Sequence, residues 1–199
     1  MLPFFAKSPI NLLVFVAAYL IWMIPEAVGS LFSFRRRGVP ELRDDGASGL
    51  VILLGISLLP LATVAIALSV RSAGLAWQDH LFFFVGIAVM LAGVGLRWHS
   101  VRTLGRFFSR SIAIQESHEI VSFGPYRYLR HPSYTGTMLT LFGIGLASTN
   151  WLALIVNFIG GFATYAYRVV REERVLVREL GQPYLDYMKR TKRFIPWLF

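Results

Sequence analysis

The chain has 199 residues, 55% of them hydrophobic and only 16% charged, where a soluble domain is about a quarter charged. It contains no cysteine, which excludes disulfides, thiolate metal sites and cysteine nucleophiles. The net charge of +9 would suit a nucleic acid, but the basic residues lie between apolar runs as a topology signal places them, so a membrane and no nucleic acid is the expected partner.

A spanning helix needs about 20 mostly apolar residues. The first is expected around NLLVFVAAYLIWMI, from Asn11, and runs on past Pro25. Only Lys7 precedes it and no small-residue cleavage site follows cleanly, so it reads as a retained span rather than a secretory leader. The second starts at Gly49, with a kink expected at Pro60. The third is LFFFVGIAVMLAGVGL, from Leu81; the fourth runs from about Pro132 to Ala147; the fifth starts at Trp151. Ser148, Thr149 and Asn150 alone separate the last two, which makes them an antiparallel helical hairpin. The fold class is therefore an all-α integral membrane protein of five transmembrane helices with an amphipathic C-terminal helix.

Charge sets the orientation. Arg35, Arg36, Arg37 and Arg43 fill the first loop, and Arg71 alone marks the second. Six arginines lie between Arg97 and Arg130, none in the fourth loop, and eight Lys and Arg from Arg168 onward. Basic-rich and basic-poor segments alternate, so the first loop, the third loop and the C-terminus are expected to be cytoplasmic. Residues 1–96 then hold three spans and their loops. Residues 97–199 hold a cytoplasmic loop, the hairpin and the C-terminal helix, and any chemistry belongs there. The expected setting is a prokaryotic plasma membrane, or the endoplasmic reticulum if the source is eukaryotic.

Two polar constellations stand out. In the tail, Arg168, Arg171 and Glu172 share a helix face, and Glu173 lies about 100° further round. On spacing alone this is either a salt-bridged turn or a working site; Arg168 directly follows the apolar run GGFATYAY, where a charge is costly unless it is paired or used. Beyond it, Val175 to Lys189 alternate apolar and charged residues around a GQP break at 181–183, the pattern of an interfacial helix that could also serve as a lid. Pro196 and Trp197 read as a membrane anchor.

The second constellation is GPYRYLRHPSY, residues 124–134. Gly124 and Pro125 make a turn, Tyr126 and Tyr128 are expected at the interface, and Pro132 suits the first turn of the fourth helix. Arg130 and His131 flank that helix N-terminus, and Tyr134 adds a hydroxyl within a turn. The cluster can hold a small anion or zwitterion, or it can be an Arg/Tyr belt that anchors the helix. His118 and His131 fit no metal-ligand spacing, so no metal is expected; His80 and His99 read as incidental.

The order His118-Glu-Ile-Val121, then Gly124-Pro-Tyr-Arg-Tyr-Leu-Arg-His-Pro-Ser-Tyr134, a hairpin, Arg168-x-x-x-Glu172-Glu173 and Gly181-x-x-Tyr184-x-x-Tyr187 resembles the isoprenylcysteine carboxyl methyltransferase family and the related phospholipid N-methyltransferases. The likeness covers about residues 97–199. It implies methyl transfer from S-adenosyl-L-methionine at the cytoplasmic membrane face to a lipophilic or prenylated substrate that enters from the bilayer. It assigns the cofactor to His118, Ile120, Val121, Gly124, Tyr126, Arg130, His131, Pro132, Tyr134 and Glu172, and places Arg168 and Glu173 nearest the reacting groups. Ile120 stands where the family pattern has leucine. A carboxylate acceptor would need only a cation, which Arg168 supplies; an amine acceptor would need a base, for which Glu173 is the candidate. NADPH-dependent sterol-type reductases share a similar His-Pro-x-Tyr element, but asparagine is common where this chain has Ser133. A non-enzymatic scaffold or lipid-binding subunit is the remaining alternative.

Overall fold

A computed structural model describes residues 2–35, 47–75, 79–108 and 120–195. Six α-helices occur among them: α1 (Pro9–Arg35), α2 (Ser48–Ser69), α3 (Asp79–Leu104), α4 (Pro132–Ala147), α5 (Trp151–Leu180) and α6 (Gln182–Arg190). The described residues form no sheet, only the isolated bridges Gly74–Asn150 and Leu129–Lys192. Four helices, α1, α2, α3 and α5, are long and apolar enough to cross a membrane. Helix α4 has 16 residues, about 24 Å of rise, against a hydrocarbon core of about 30 Å. Pro132 fixes its start and the Ser148–Asn150 turn its end.

The apolar run of α3 stops at Leu96, but no breaker follows until Gly105, whose φ of 52° ends the helix. Arg97 was expected to open the cytoplasmic loop. It lies inside α3 instead, buried with Ser100, and its guanidinium pairs with Glu26 of α1, Nη2 donating to Oε2 at 2.8 Å.

Helices α3 and α4 make the most extensive pairing. Glycines seven residues apart on each, Gly86 and Gly93 against Gly136 and Gly143, let the two backbones touch. A Cβ on Gly93 would lie 2.5 Å from the Gly136 carbonyl oxygen, and one on Gly143 2.4 Å from the Met90 nitrogen. Such close approach of small residues replaces the hydrophobic effect as the force between helices in lipid. The α4–α5 hairpin turns on Thr149, at φ 53°, and on Asn150. The Asn150 side chain caps α5 by accepting from the Leu152 and Ala153 N–H groups at 3.1 Å, and donates to the Val70 carbonyl at 3.0 Å. Helix α5 also packs on α2, where the Asn157 amide donates to Thr63 Oγ1 across the interface.

The core joins Trp22, Phe83, Met90, Leu141, Ile144, Tyr165 and Val169. Leu13, Leu61, Phe84 and Ile159 on the outer faces are exposed, as surfaces that meet lipid must be. At the other end of α5, Gly181 (φ 60°) stops the helix and starts α6, as the GQP break predicts. The chain after α6 then runs beside residues 128–131. Arg130 N–H donates to the Lys192 carbonyl at 2.7 Å, and Lys192 N–H to that of Tyr128 at 3.0 Å. This pairing fastens the tail to the start of α4.

Candidate active site

The two polar constellations meet. Glu173, buried on α5, holds Arg130 and Arg193 at once: Arg130 Nε donates to its Oε1 at 2.7 Å, and Arg193 Nε to its Oε2 at 2.9 Å. His131 Nε2 stands 3.4 Å from Oε1, without hydrogen-bond alignment. Arg130 also donates to the main-chain carbonyls of Met188, at 3.0 Å, and Thr191. One carboxylate thus ties the entry to α4, the last third of α5 and the tail together.

Glu172 faces differently. Its Oε2 accepts from the Tyr134 hydroxyl at 2.7 Å and lies 3.7 Å from Arg168 Nε, and its side chain stays 24% exposed. The i, i+4 pairing of Arg168 with Glu172 is the one their spacing predicts. Arg168 is 1% exposed; its Nε donates to the Tyr134 hydroxyl at 3.4 Å, and its Nη1 to Ser48 Oγ at 2.7 Å. The Tyr134 ring is nearly parallel to the His131 ring, 5.5 Å away, and tilted against that of Tyr165, 5.1 Å away. Arginine, acid and aromatic faces therefore converge within one helix turn of the α4 N-terminus.

The remaining expected residues divide. Gly124 adopts φ 59° next to Thr103, and Pro132 occupies the first turn of α4. Tyr128 is exposed as an interfacial ring should be, but Tyr126 is buried. Tyr187 explains why: its hydroxyl donates to the Tyr126 carbonyl at 2.7 Å, drawing α6 over the Gly124–Arg127 turn. Burial pushes the hydroxyl pKa of Tyr126, Tyr184 and Tyr187 well above the usual value near 10. Ile120 and Val121 are half-buried just ahead of the turn. His118, Pro196, Trp197 and the loop arginines Arg36, Arg37 and Arg43 lie outside the described residues.

Sequence reasoning missed Arg193, Ser48 and the Glu26–Arg97 pair. Glu26 and Arg97 carried a usable signal, because an ionisable residue within an apolar span needs a partner or a purpose. Ser48 and Arg193 gave none, since only the folded chain brings them to α5.

Residues 84–178 match the isoprenylcysteine carboxyl methyltransferase family. Over 115 residues the chain is 30% identical to protein-S-isoprenylcysteine O-methyltransferase B of Arabidopsis thaliana, covering 57% of this chain and 58% of that protein. Over 116 residues it is 28% identical to protein-S-isoprenylcysteine O-methyltransferase of Xenopus laevis, covering 57% and 40% of the two. The solved structure of a eukaryotic intramembrane Ras methyltransferase of this family superposes with a TM-score of 0.56 at 28% identity, over 59% of this chain and 43% of that one. The chain thus spans less than two thirds of the length of these relatives. The family resemblance read from RHPxY and Arg-x-x-x-Glu-Glu is borne out, together with the helical membrane fold. The names of these relatives are those of methyltransferases.

Proposed function

We propose that this chain transfers a methyl group from S-adenosyl-L-methionine to the carboxylate of a lipophilic, isoprenylcysteine-like acceptor at the cytoplasmic membrane face. The observation that carries the reading is the convergence of Tyr134, Arg168 and Glu172, beside the Arg130–Glu173 pair, where α4 begins and α5 leaves its apolar stretch.

The residues present fit the donor. A zwitterion with a cationic sulfur asks for an acid, a base and aromatic faces together. Glu172 keeps part of its carboxylate exposed, His131 Nε2 has no hydrogen-bond partner among the described residues, and Tyr134 and His131 present parallel rings. His131, Tyr134 and Glu172 would hold the donor, with Ile120, Val121, Gly124, Tyr126, Arg130 and Pro132 shaping the segment around them. When bound, S-adenosyl-L-methionine supplies an already activated methyl, so the protein's work is alignment and exclusion of water.

Arg168 would grip the acceptor carboxylate, held in aim by Ser48 and Tyr134. Both oxygens of Glu173 already accept charge-assisted bonds, so a proton-abstracting role for it is disfavoured and its task is to anchor Arg130 beside the reacting groups. This favours a carboxylate over an amine acceptor, because only the amine needs a base.

In this reading α4 completes five spans, and α6 lies on the cytoplasmic surface with its basic residues toward the headgroups. The acceptor, a prenylated protein end or a small isoprenoid acid, enters sideways from the lipid. Membranes containing the chain, incubated with radiolabelled methyl donor and a prenylcysteine, should yield base-labile label, the mark of an ester. Base-stable label would mean an N-methyl product. Stabilisation by NADPH, with none by S-adenosylhomocysteine, would defeat the proposal.

A further inference from the structure

We infer that Glu26, on α1 and outside the family-matched residues 84–178, is a positioning residue for the donor-holding end of α4, acting through Arg97. The two side chains are buried together within the helix bundle: Glu26 is 7% exposed and Arg97 8%. Arg97 forks onto Glu26, with Nε to Oε1 and Nη2 to Oε2, the second at 2.8 Å. A bidentate pair of this kind fixes the plane of the guanidinium as well as its place. That plane directs Nη1 at the Ser133 carbonyl, 3.3 Å away. Ser133 sits between Pro132 and Tyr134, and the Tyr134 hydroxyl bonds Glu172 at 2.7 Å.

The contacts therefore form a path from Glu26 through Arg97 and Ser133 to Tyr134. Pro132 brings no N–H of its own to the turn, and the Arg97 grip is the bond that ties the Ser133 carbonyl to α3, beside the bond this carbonyl accepts from Thr137 Oγ1 within α4 at 3.2 Å. Without Glu26 the Arg97 guanidinium would be an uncompensated charge among apolar helices. It would turn toward water and release Ser133. Helix α1, which the family match leaves out, thereby reaches the site through one carboxylate.

The inference rests on the reading that this end of α4 holds the methyl donor, and the test separates the two. The full chain in lipid nanodiscs is compared as wild type, Glu26→Gln, and Glu26→Gln combined with Arg97→Gln. Three quantities are measured: affinity for S-adenosylhomocysteine, melting temperature, and hydrogen exchange of the amides at 131–135. Glu26→Gln should weaken S-adenosylhomocysteine binding about tenfold, the scale of one bond to a charged group, and speed exchange at 131–135. The double variant removes both buried charges. It should regain melting temperature without regaining affinity, and it decides the matter if the single variant fails to fold. Unchanged affinity and exchange in Glu26→Gln, or recovery of affinity along with stability in the double variant, would show that Glu26 only balances charge. A wild type that binds no S-adenosylhomocysteine overturns the donor reading, while the exchange arm still decides whether Glu26 holds the start of α4.

Discussion

Arg130 and Glu173, one before α4 and the other deep in α5, are joined by a 2.7 Å bond with both side chains almost withdrawn from solvent. Removing one member of a buried ion pair costs about 3–5 kcal/mol, because the other is left uncompensated. Glu173→Gln should therefore lower the melting temperature and the methyl-transfer rate together. Glu172→Gln, next along the chain but partly exposed and bonded to Tyr134, should keep the melting temperature close to wild type and lose donor affinity. Thermal unfolding and S-adenosylhomocysteine titration on the same preparations distinguish the two carboxylates. Equal destabilisation by both variants would refute the division of labour.

Arg168 is fixed by Ser48 on one side and Tyr134 on the other. A lysine keeps the charge but cannot bridge both partners or present a planar fork to a carboxylate. Arg168→Lys should thus reduce turnover roughly a hundredfold, the scale of losing one preorganised donor to a developing or bound anion. Tyr134→Phe, which deletes one hydroxyl and keeps the ring, should cost roughly tenfold. Initial rates in detergent with a prenylcysteine acceptor give both values. Full activity in Arg168→Lys would exclude a bidentate role.

Most of this architecture was legible in the sequence because the bilayer simplifies the code. Apolar length located α1, α2, α3 and α5, and the three residues Ser148–Asn150 could only be a hairpin turn. Gly181 announced the break before α6. The pairing of Arg168 with Glu172 followed from helical spacing. Long-range polar partners were the illegible part. Arg97 looked like the first residue of a loop because it ends an apolar run, but helix continues until a breaker stops it, and its partner Glu26 is 71 positions away. Tyr126 looked interfacial, yet α6 folds back over it through Tyr187, and nothing near Tyr126 in the sequence encodes that return.

The buried tyrosines make a pH prediction. Burial holds the hydroxyl pKa of Tyr126, Tyr184 and Tyr187 above the ordinary value of about 10. The unfolded chain ionises these hydroxyls near 10 while the folded chain keeps them protonated, so the native state binds more protons in that range. The contribution to stability is fully present below about pH 10 and is lost as pH rises beyond it, at up to about 1.4 kcal/mol per tyrosine per pH unit. Ultraviolet titration of the folded protein should show these three hydroxyls ionising only as it unfolds. Tyr187→Phe should remove part of the alkaline dependence. Smooth reversible ionisation of all tyrosines near 10 would contradict their burial.

Gly93 and Gly95 lie two residues apart on α3 and should respond oppositely to alanine. A Cβ on Gly93 would stand 2.5 Å from the Gly136 carbonyl oxygen and 2.6 Å from the Thr140 nitrogen. Backbone atoms of a packed helix cannot step aside singly, so α3 and α4 would have to separate along their length, and overpacking of this kind costs about 1–3 kcal/mol or more. The same separation would shift the start of α4, where Ser133 meets Arg97 and Tyr134 meets Glu172. Gly93→Ala should therefore lose both stability and donor affinity. A Cβ on Gly95 meets nothing within 4 Å, and alanine is the better helix former by about 0.5–1 kcal/mol. Gly95→Ala should leave activity intact and hold or raise the melting temperature. If the two substitutions behave alike, the backbone contact between α3 and α4 is not what sets the geometry of the site.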